Sequence, residues 1–428
     1  MKILGWKTGV QNMPSNFEKS TVANGADDNL KSYLHLNIKM LLAMNILIDL
    51  EDTKNFEKFG IFAKVPVLTI ITIIISVTGA FGQFVWMVQS LSYDRQLATT
   101  LSTNIFSNVS CVSKGFCLSV AAKDLQAILH DISKMWNSYR SEGECRKRII
   151  NRAKKTVSFV KGYIWMTVAL IANFGVPPLQ YMLIQYIGHK TSNTTLDYSI
   201  RIFPLRYPFD VNTGWIYYLI LCHEFWILFG LTLCWVSCDT LFASLTTHLS
   251  IQFEILEHDI NNLINRETNE VRLKKNLFTF VNRHREILRV CKEVERVFSP
   301  VIFITVVVSS MNICVNTYMV QEYVAVGKYF DGGYHFFLAA NTFLQIIVYC
   351  VYAETLTQHV SSISNAIYDC EWSDKNQEFK ICVQILLMKT QKPFYCKAYG
   401  FFILSHEQLT KIVNTALSYY MMLRTTSE

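Results

Sequence analysis

Two short runs begin as a zinc-protease helix does. His223-Glu224-Phe225-Trp226-Ile227 and His406-Glu407-Gln408-Leu409-Thr410 each offer a histidine followed by a glutamate. Gripping the metal needs a second histidine one helical turn later, and Ile227 and Thr410 stand there instead. Cys234 and Cys238 sit one turn apart with no second pair and no histidine beside them, so the sequence assigns no metal. There is no glycine-rich phosphate loop, no Gly-x-Ser-x-Gly elbow and no paired-carboxylate constellation. Neither enzyme activity nor a cofactor is expected. The pattern that stands out is of another kind. Lys411, Thr415, Ser418, Met422 and Thr425 recur at steps of four, three, four and three, which puts them on one side of a helix. The other sides carry Leu409, Ile412, Val413, Ala416, Leu417, Tyr419, Tyr420 and Met421. Such a stripe fits the wall of a water-filled pore, and it fits equally the hydroxyl contacts that join membrane helices.

The stripe belongs to the second half of a helix cut in two, 379–397 and 405–424. Pro393 cannot continue the backbone ladder and Gly400 relaxes the chain, while Ser405 and Gln408 have the spacing of a capping box that restarts it. The whole chain of 428 residues is 51% hydrophobic and 17% charged, with a mean hydropathy of +0.23. These values predict an all-α polytopic membrane protein rather than a soluble enzyme. No signal peptide is visible, so the first span is expected to serve as the targeting signal. The formal charge of +7 has no basic stripe interleaved with aromatics, which argues against nucleic acid and for an asymmetry between loops. The twelve cysteines are scattered through apolar runs and basic linkers, where no disulfide framework is expected.

In chain order, a polar tail precedes an amphipathic segment at 30–50, read as a helix lying on the membrane. Spans follow at about 65–89, 97–122, 157–186, 215–245, 299–326 and 334–357, with the split helix as the seventh. The second span is rich in Thr, Ser and Asn, the third is interrupted by Pro177-Pro178, and the fourth holds the ionisable pair His223-Glu224. The pair could orient a polar guest or satisfy itself. Basic helical linkers at 123–155 and 251–296 are too charged to enter hydrocarbon. Three units result: 1–64, a tail with the interfacial helix; 65–378, helices one to six; and 379–428, the split seventh. Lys and Arg crowd alternate loops, which places the N-terminus in the cytosol and, after seven crossings, the C-terminus outside. The sequon at Asn193 lies in a loop that is then extracellular, whereas Asn108-Val109-Ser110 falls inside a span. That topology is the reverse of a G-protein-coupled receptor, and no G protein is expected.

Aromatic and polar side chains gather in the outer halves of the second, third, fourth and sixth spans: Asn104, Asn173, Phe174, Tyr181, Tyr217, Tyr218, Phe336, Phe337 and Phe343. Each is a candidate ligand contact, and for each ordinary helix packing is the alternative reading.

The runs Leu387-Met388-Lys389-Thr390-Gln391-Lys392-Pro393, Ala398-Tyr399-Gly400-Phe401-Phe402-Ile403-Leu404-Ser405 and Ser418-Tyr419-Tyr420-Met421-Met422-Leu423-Arg424 closely resemble the C-terminal signature of insect odorant receptors. The signature covers about a tenth of the chain. The resemblance implies a seven-helix, odorant-gated, non-selective cation channel in the plasma membrane of olfactory sensory neurons. It implies an apolar pocket for one small volatile molecule among the second, third, fourth and sixth spans, where the nine residues above lie, and a hydrophobic constriction aligned with Met422. It also implies a heterotetramer with a shared co-receptor. Co-receptors carry a longer insert between the fourth and fifth spans; this chain has none evident and resembles the odorant-binding subunit. Arg424, a fixed positive charge near the pore exit, departs from what a cation path favours. A gustatory receptor forming homotetramers is the alternative, although Ser418 to Arg424 does not fit that group's ending. A transporter would show internal repeats, and none is seen.

Overall fold

Inside hydrocarbon every backbone N–H and C=O must find its partner within the protein, and this chain meets that demand almost entirely with helices. A computed structural model describes residues 30–46, 66–138, 143–192, 201–207, 209, 214–266, 269–392 and 394–427. The elements are α1 Leu30–Ala43, α2 Val67–Ser90, α3 Arg95–Val120, α4 Ala122–Ser138, α5 Gly143–Ser192, α6 Gly214–Arg266, α7 Glu270–Ala325, α8 Tyr329–Tyr368, α9 Gln377–Thr390, β1 Lys397–Ala398, β2 Phe402–Ile403 and α10 His406–Ser427. Among the described residues five helices are long and apolar enough to cross a membrane, and six if α3 and α4, bent by 70° at Ala121, count as one span.

The solvent these helices were selected for is legible in α2. It buries Thr69, Thr72, Ser76, Gly79 and Gln83, at steps of three and four, while Ile70, Ile71, Ile74, Phe81 and Phe84 face outward. A water-soluble helix does the reverse, so the outward face meets lipid. Small residues on the inward face let helices approach closely. A Cβ added at Gly230 of α6 would stand 2.3 Å from Cγ2 of Thr72, so even one methyl group would push α2 and α6 apart.

Several boundaries differ from the sequence reading. Residues 299–300 do not start a helix, because α7 is one helix of 56 residues running through Pro300. The proline forfeits one ladder bond, yet Phe298, Val301 and Ile302 around it are all buried in the core, which holds the helix together. Likewise α5 continues through Pro177 and Pro178. The basic linker is not one helix: α4 stands apart from α5, which starts at Gly143 with φ of 66°. The apolar stripe of α1 packs on protein, burying Leu30, Leu34 and Leu41, and Asn37 donates to Thr240 Oγ1 at 3.0 Å in α6.

The break before α10 is more than a turn. Tyr399 and Gly400 both take positive φ, 50° and 75°, and Phe401 N–H closes on Ala398 C=O at 3.0 Å, giving a two-stranded hairpin. The hairpin docks on α7, where Tyr399 N–H donates to Ser299 Oγ at 2.6 Å and Lys397 N–H to Glu295 Oε1 at 3.2 Å. Phe303 packs against Tyr399, Phe401 and Phe402. Ser405 then accepts from Gln408 N–H at 3.2 Å, the cap its spacing predicts.

At the basic end the extensions of α6, α7 and α8 join α1, α4 and α9 in one core built on Phe242, Phe253, Phe298, Ile287, Leu356 and Phe379. Asp131 with Arg289 at 2.7 Å and Asp124 with Arg296 at 3.2 Å lace α4 to α7. His284 lies in this core between the rings of Phe253 and Phe280. Burial pulls its pKa down to about 4. Between that value and the ordinary one near 6.5 the unfolded chain binds the extra proton, so stability is lost as pH falls through this window, by up to about 1.4 kcal/mol per pH unit. The detergent melting temperature is therefore expected to drop from pH 7 to pH 5, and His284→Leu to flatten part of that slope; an unchanged slope in the variant would assign the proton to another group.

Candidate functional site

A cavity of about 140 Å³ lies among α2, α3, α5, α6, α7 and α8. One wall is carbon: Leu170 and Phe174 from α5, with Ile227, Leu228 and Leu231 from α6. Amides and hydroxyls enter the lining from Gln83 of α2, Asn104, Ser107 and Asn108 of α3, and Ser309 and Asn312 of α7. Leu338, Asn341, Thr342 and Gln345 of α8 close the remaining side. The polarity of the α3 wall follows from its sequence, since a span with so many small polar residues must turn them toward protein or water.

The roof is the stretch 201–207. Phe203 and Leu205 reach into the cavity, and Phe203 packs beside Phe174 with ring centroids 6.4 Å apart. Glu224 holds this stretch: its buried carboxylate accepts the backbone N–H of Ile202 at 2.8 Å and of Phe203 at 3.3 Å. His223 meets Tyr207 Oη at 3.2 Å and Thr78 Oγ1 at 3.5 Å. These two side chains fasten a loop rather than each other.

The floor holds the group that the sequence reading missed. Asp239 of α6, fully buried, forms an ion pair with the equally buried Lys114 of α3. Its carboxylate also accepts from Tyr349 Oη at 2.7 Å, from Tyr163 Oη at 2.8 Å and from Gln345 Nε2 at 3.0 Å. Four donors from α3, α5 and α8 converge on one acid. A lone lysine in the second span and a lone aspartate in the fourth were the available signal, because each is costly in hydrocarbon unless paired.

Of the candidate ligand contacts, Asn104 and Phe174 line the cavity. The others lie off it. Asn173 is exposed, Tyr217 is buried against Tyr218, and Tyr181 and Phe343 are half-buried; Phe336 and Phe337 face outward. On α10, Ile412 and Ala416 pack inward and Tyr420 bonds Gln321 of α7. Thr415 and Ser418 are exposed, their hydroxyls returned to the carbonyls of Lys411 and Asn414 at 2.8 and 2.9 Å. Met422 is 56% exposed, and Thr425 falls in the helix's last turn. Asn193 lies outside the described residues.

The sequence pattern described as 7tm Odorant receptor matches residues 95–417. The chain belongs to the insect odorant receptor family. Odorant receptor 47a of Drosophila melanogaster is 26% identical over 315 residues, 71% of this chain and 78% of that one. The odorant receptor coreceptor of Anopheles gambiae is 24% identical over 156 residues, 36% of this chain and 32% of the coreceptor. The solved insect olfactory receptor OR5 from Machilis hrabei, in complex with eugenol, shares the fold with a TM-score of 0.72 at 17% identity, covering 93% of this chain and 98% of that one. As in other odorant receptors, the chain is a multi-pass membrane protein.

Removing one partner of a buried ion pair strands the other charge, at a cost of roughly 3–5 kcal/mol. Asp239→Asn and Lys114→Met should each lower the melting temperature of the purified receptor, while the double variant recovers most of the loss. A double variant as unstable as the sum of the singles would show that the two charges do not act as a pair.

Proposed function

We propose that this odorant receptor is the odorant-binding subunit of a ligand-gated, non-selective cation channel, assembled as a heterotetramer with co-receptor subunits in the plasma membrane of olfactory sensory neurons. A small volatile molecule enters the cavity beneath the 201–207 roof, α10 shifts, and cations pass. Seven crossings, with α10 as the last, leave the N-terminus in the cytosol and the C-terminus outside. The unit 1–64 is then a cytosolic tail, 65–378 carries the odorant site and the cytosolic linkers, and 379–428 divides into an anchor half and a pore-lining half. Asn193 falls on the outer side and carries the glycan.

The observation that supports the channel reading best is the two-sidedness of α10. It packs Ile412 and Ala416 on its own subunit and turns Thr415, Ser418 and Met422 away from it. The stripe also explains why α10 is absent from the helices apolar enough to cross hydrocarbon unaided. A helix with lipid on one side and a wet pore on another has no need of an all-round apolar surface. Hydroxyls that return to their own helix carbonyls leave a smooth, weakly polar wall, and a ring of methionines at Met422 can dewet when the helices close in.

The cavity supports the ligand assignment. Its carbon wall would hold a guest mainly by dispersion and desolvation, which favours modest affinity and some breadth. Of the candidate contacts, Asn104 and Phe174 are the two best situated to touch the guest.

In cells expressing the chain with a co-receptor, a volatile ligand should evoke a cation current, and Met422→Ala should change its rectification, ion preference or blocker sensitivity. Unaltered permeation would remove Met422 from the pore, and full current from this chain alone would favour the homotetrameric, gustatory-type alternative. Asn193→Gln should abolish a glycosidase-sensitive mass shift; a wild-type chain with no such shift would count against an outer position for that loop.

A further inference from the structure

The cavity holds polar groups of two sorts. Some are already engaged: Asn312 Nδ2 donates to Ser107 Oγ at 3.0 Å, Asn108 Nδ2 to Ser76 C=O at 3.4 Å and Gln345 Nε2 to Asp239 at 3.0 Å. Thr232 and Thr342 bond their own helix carbonyls. Besides the buried indole Nε1 of Trp235, which has no partner either, three amides are different. Gln83 of α2, Asn104 of α3 and Asn341 of α8 line the cavity, and none of these side chains makes a hydrogen bond to any described residue. Gln83 is the sharpest case, because it is 4% exposed and its Oε1 is buried without a partner. A buried polar atom left unsatisfied is a standing cost that a suitable guest would remove.

We propose that the cavity selects a small neutral molecule bearing a hydroxyl group, an alcohol or a phenol with a carbon body about one ring in size, over the hydrocarbon of the same shape. The proposal rests on the cavity being the odorant site. A primary amide presents N–H donors and a carbonyl acceptor together, and a hydroxyl both donates and accepts, so a single hydroxyl can serve two of these amides at once. A carbonyl guest can take their N–H groups but leaves the Gln83 oxygen as it was. A carboxylate or an ammonium group finds no counter-charge, since Lys114 and Asp239 beneath the cavity neutralise each other. The apolar lining of Leu170, Phe174, Ile227, Leu228 and Leu231 takes the carbon body. The size follows from the volume, for about 150 Å³ of apolar cavity accommodates benzene, and this one is about 140 Å³.

The discrimination arises where the site's own polar groups would otherwise stay unpaired, a stronger selector than one added methylene against a carbon wall. It also separates this cavity from a purely apolar one, in which the hydrocarbon would bind best because nothing polar is desolvated.

The test uses three compounds of nearly one shape, benzyl alcohol, benzaldehyde and toluene, measured by equilibrium binding to the full-length receptor with its co-receptor in lipid nanodiscs. Affinity should fall in that order, by about tenfold from benzyl alcohol to toluene. Gln83→Leu and Asn104→Leu should each cut the alcohol's advantage to a few-fold or less while toluene still binds, which shows that the variant is folded. Toluene binding as tightly as benzyl alcohol in the wild type would overturn the proposal, as would an advantage that survives in both variants. Either result leaves the channel reading standing. Ligand binding in the stated order without any evoked current would overturn the channel reading and leave this one intact.

Discussion

The carboxylate of Asp239 is the constraint on which the bundle depends. Between helices in lipid the hydrophobic effect offers little, because a neighbouring acyl chain is as good a partner for leucine as another leucine. What distinguishes one arrangement of helices from another is then close packing of small residues and pairing of polar ones. Asp239 requires donors on α3, α5 and α8 at the same time, and a sliding or rotated helix would leave a bare charge where no water can reach it. Such a group adds little to overall stability compared with well-packed carbon, but it penalises every wrong register. Here it sets the floor of the cavity, and Gln345 belongs to both floor and lining.

The same helix supplies the roof's anchor. Glu224 and Asp239 lie fifteen residues apart on α6, about 22 Å along a helix. One binds backbone N–H groups of the loop above the cavity and the other binds side chains below it. The space between is bounded by groups whose partners are fixed, so it persists as a cavity instead of collapsing onto the carbon wall. Two acids in an apolar helix thus bracket a neutral chamber, and Phe203 and Gln345, which donate to them, also line it.

Helical class and the two-sided last helix were legible in the sequence because they rest on local periodicity. The stripe from Thr415 to Met422 and the cap at Ser405 depend on neighbours three and four residues away. The hairpin between α9 and α10 was not legible, since Tyr399 gave no sign of its positive φ and the docking partner, Ser299, lies a hundred residues earlier. Pro300 misled for a related reason. A proline argues for a break on local grounds, and only burial of its surroundings on all sides holds the helix through it. The cavity lining was the least legible. Aromatic residues at the outer ends of spans suit both a lipid-facing surface and a cavity wall, so Phe336 and Phe337 could not be told from Phe174 without the packing. Asn108 was discounted only as a sequon, and the polar run it belongs to in the second span did signal a face turned to protein or water, whereas Gln345 stands in a span with no such run.

The helix that joins the site to the proposed pore is α7. It carries Ser309 and Asn312 in the cavity wall, Ser299 under the hairpin and Gln321 against Tyr420 of α10. Because the hairpin and α10 both rest on one continuous helix, a guest that displaces α7 at Asn312 acts on the two supports of α10 together, and no chain of intervening residues has to be invoked. The displacement is limited by Asn312 itself, whose side chain is tied to Ser107 of α3. A guest that inserts between those walls strains that bond, whereas one that rests on the carbon wall alone leaves it unchanged. On the proposed reading both walls contribute to binding, and the polar wall, which α3 and α7 share, is the side on which occupancy bears on the position of α10.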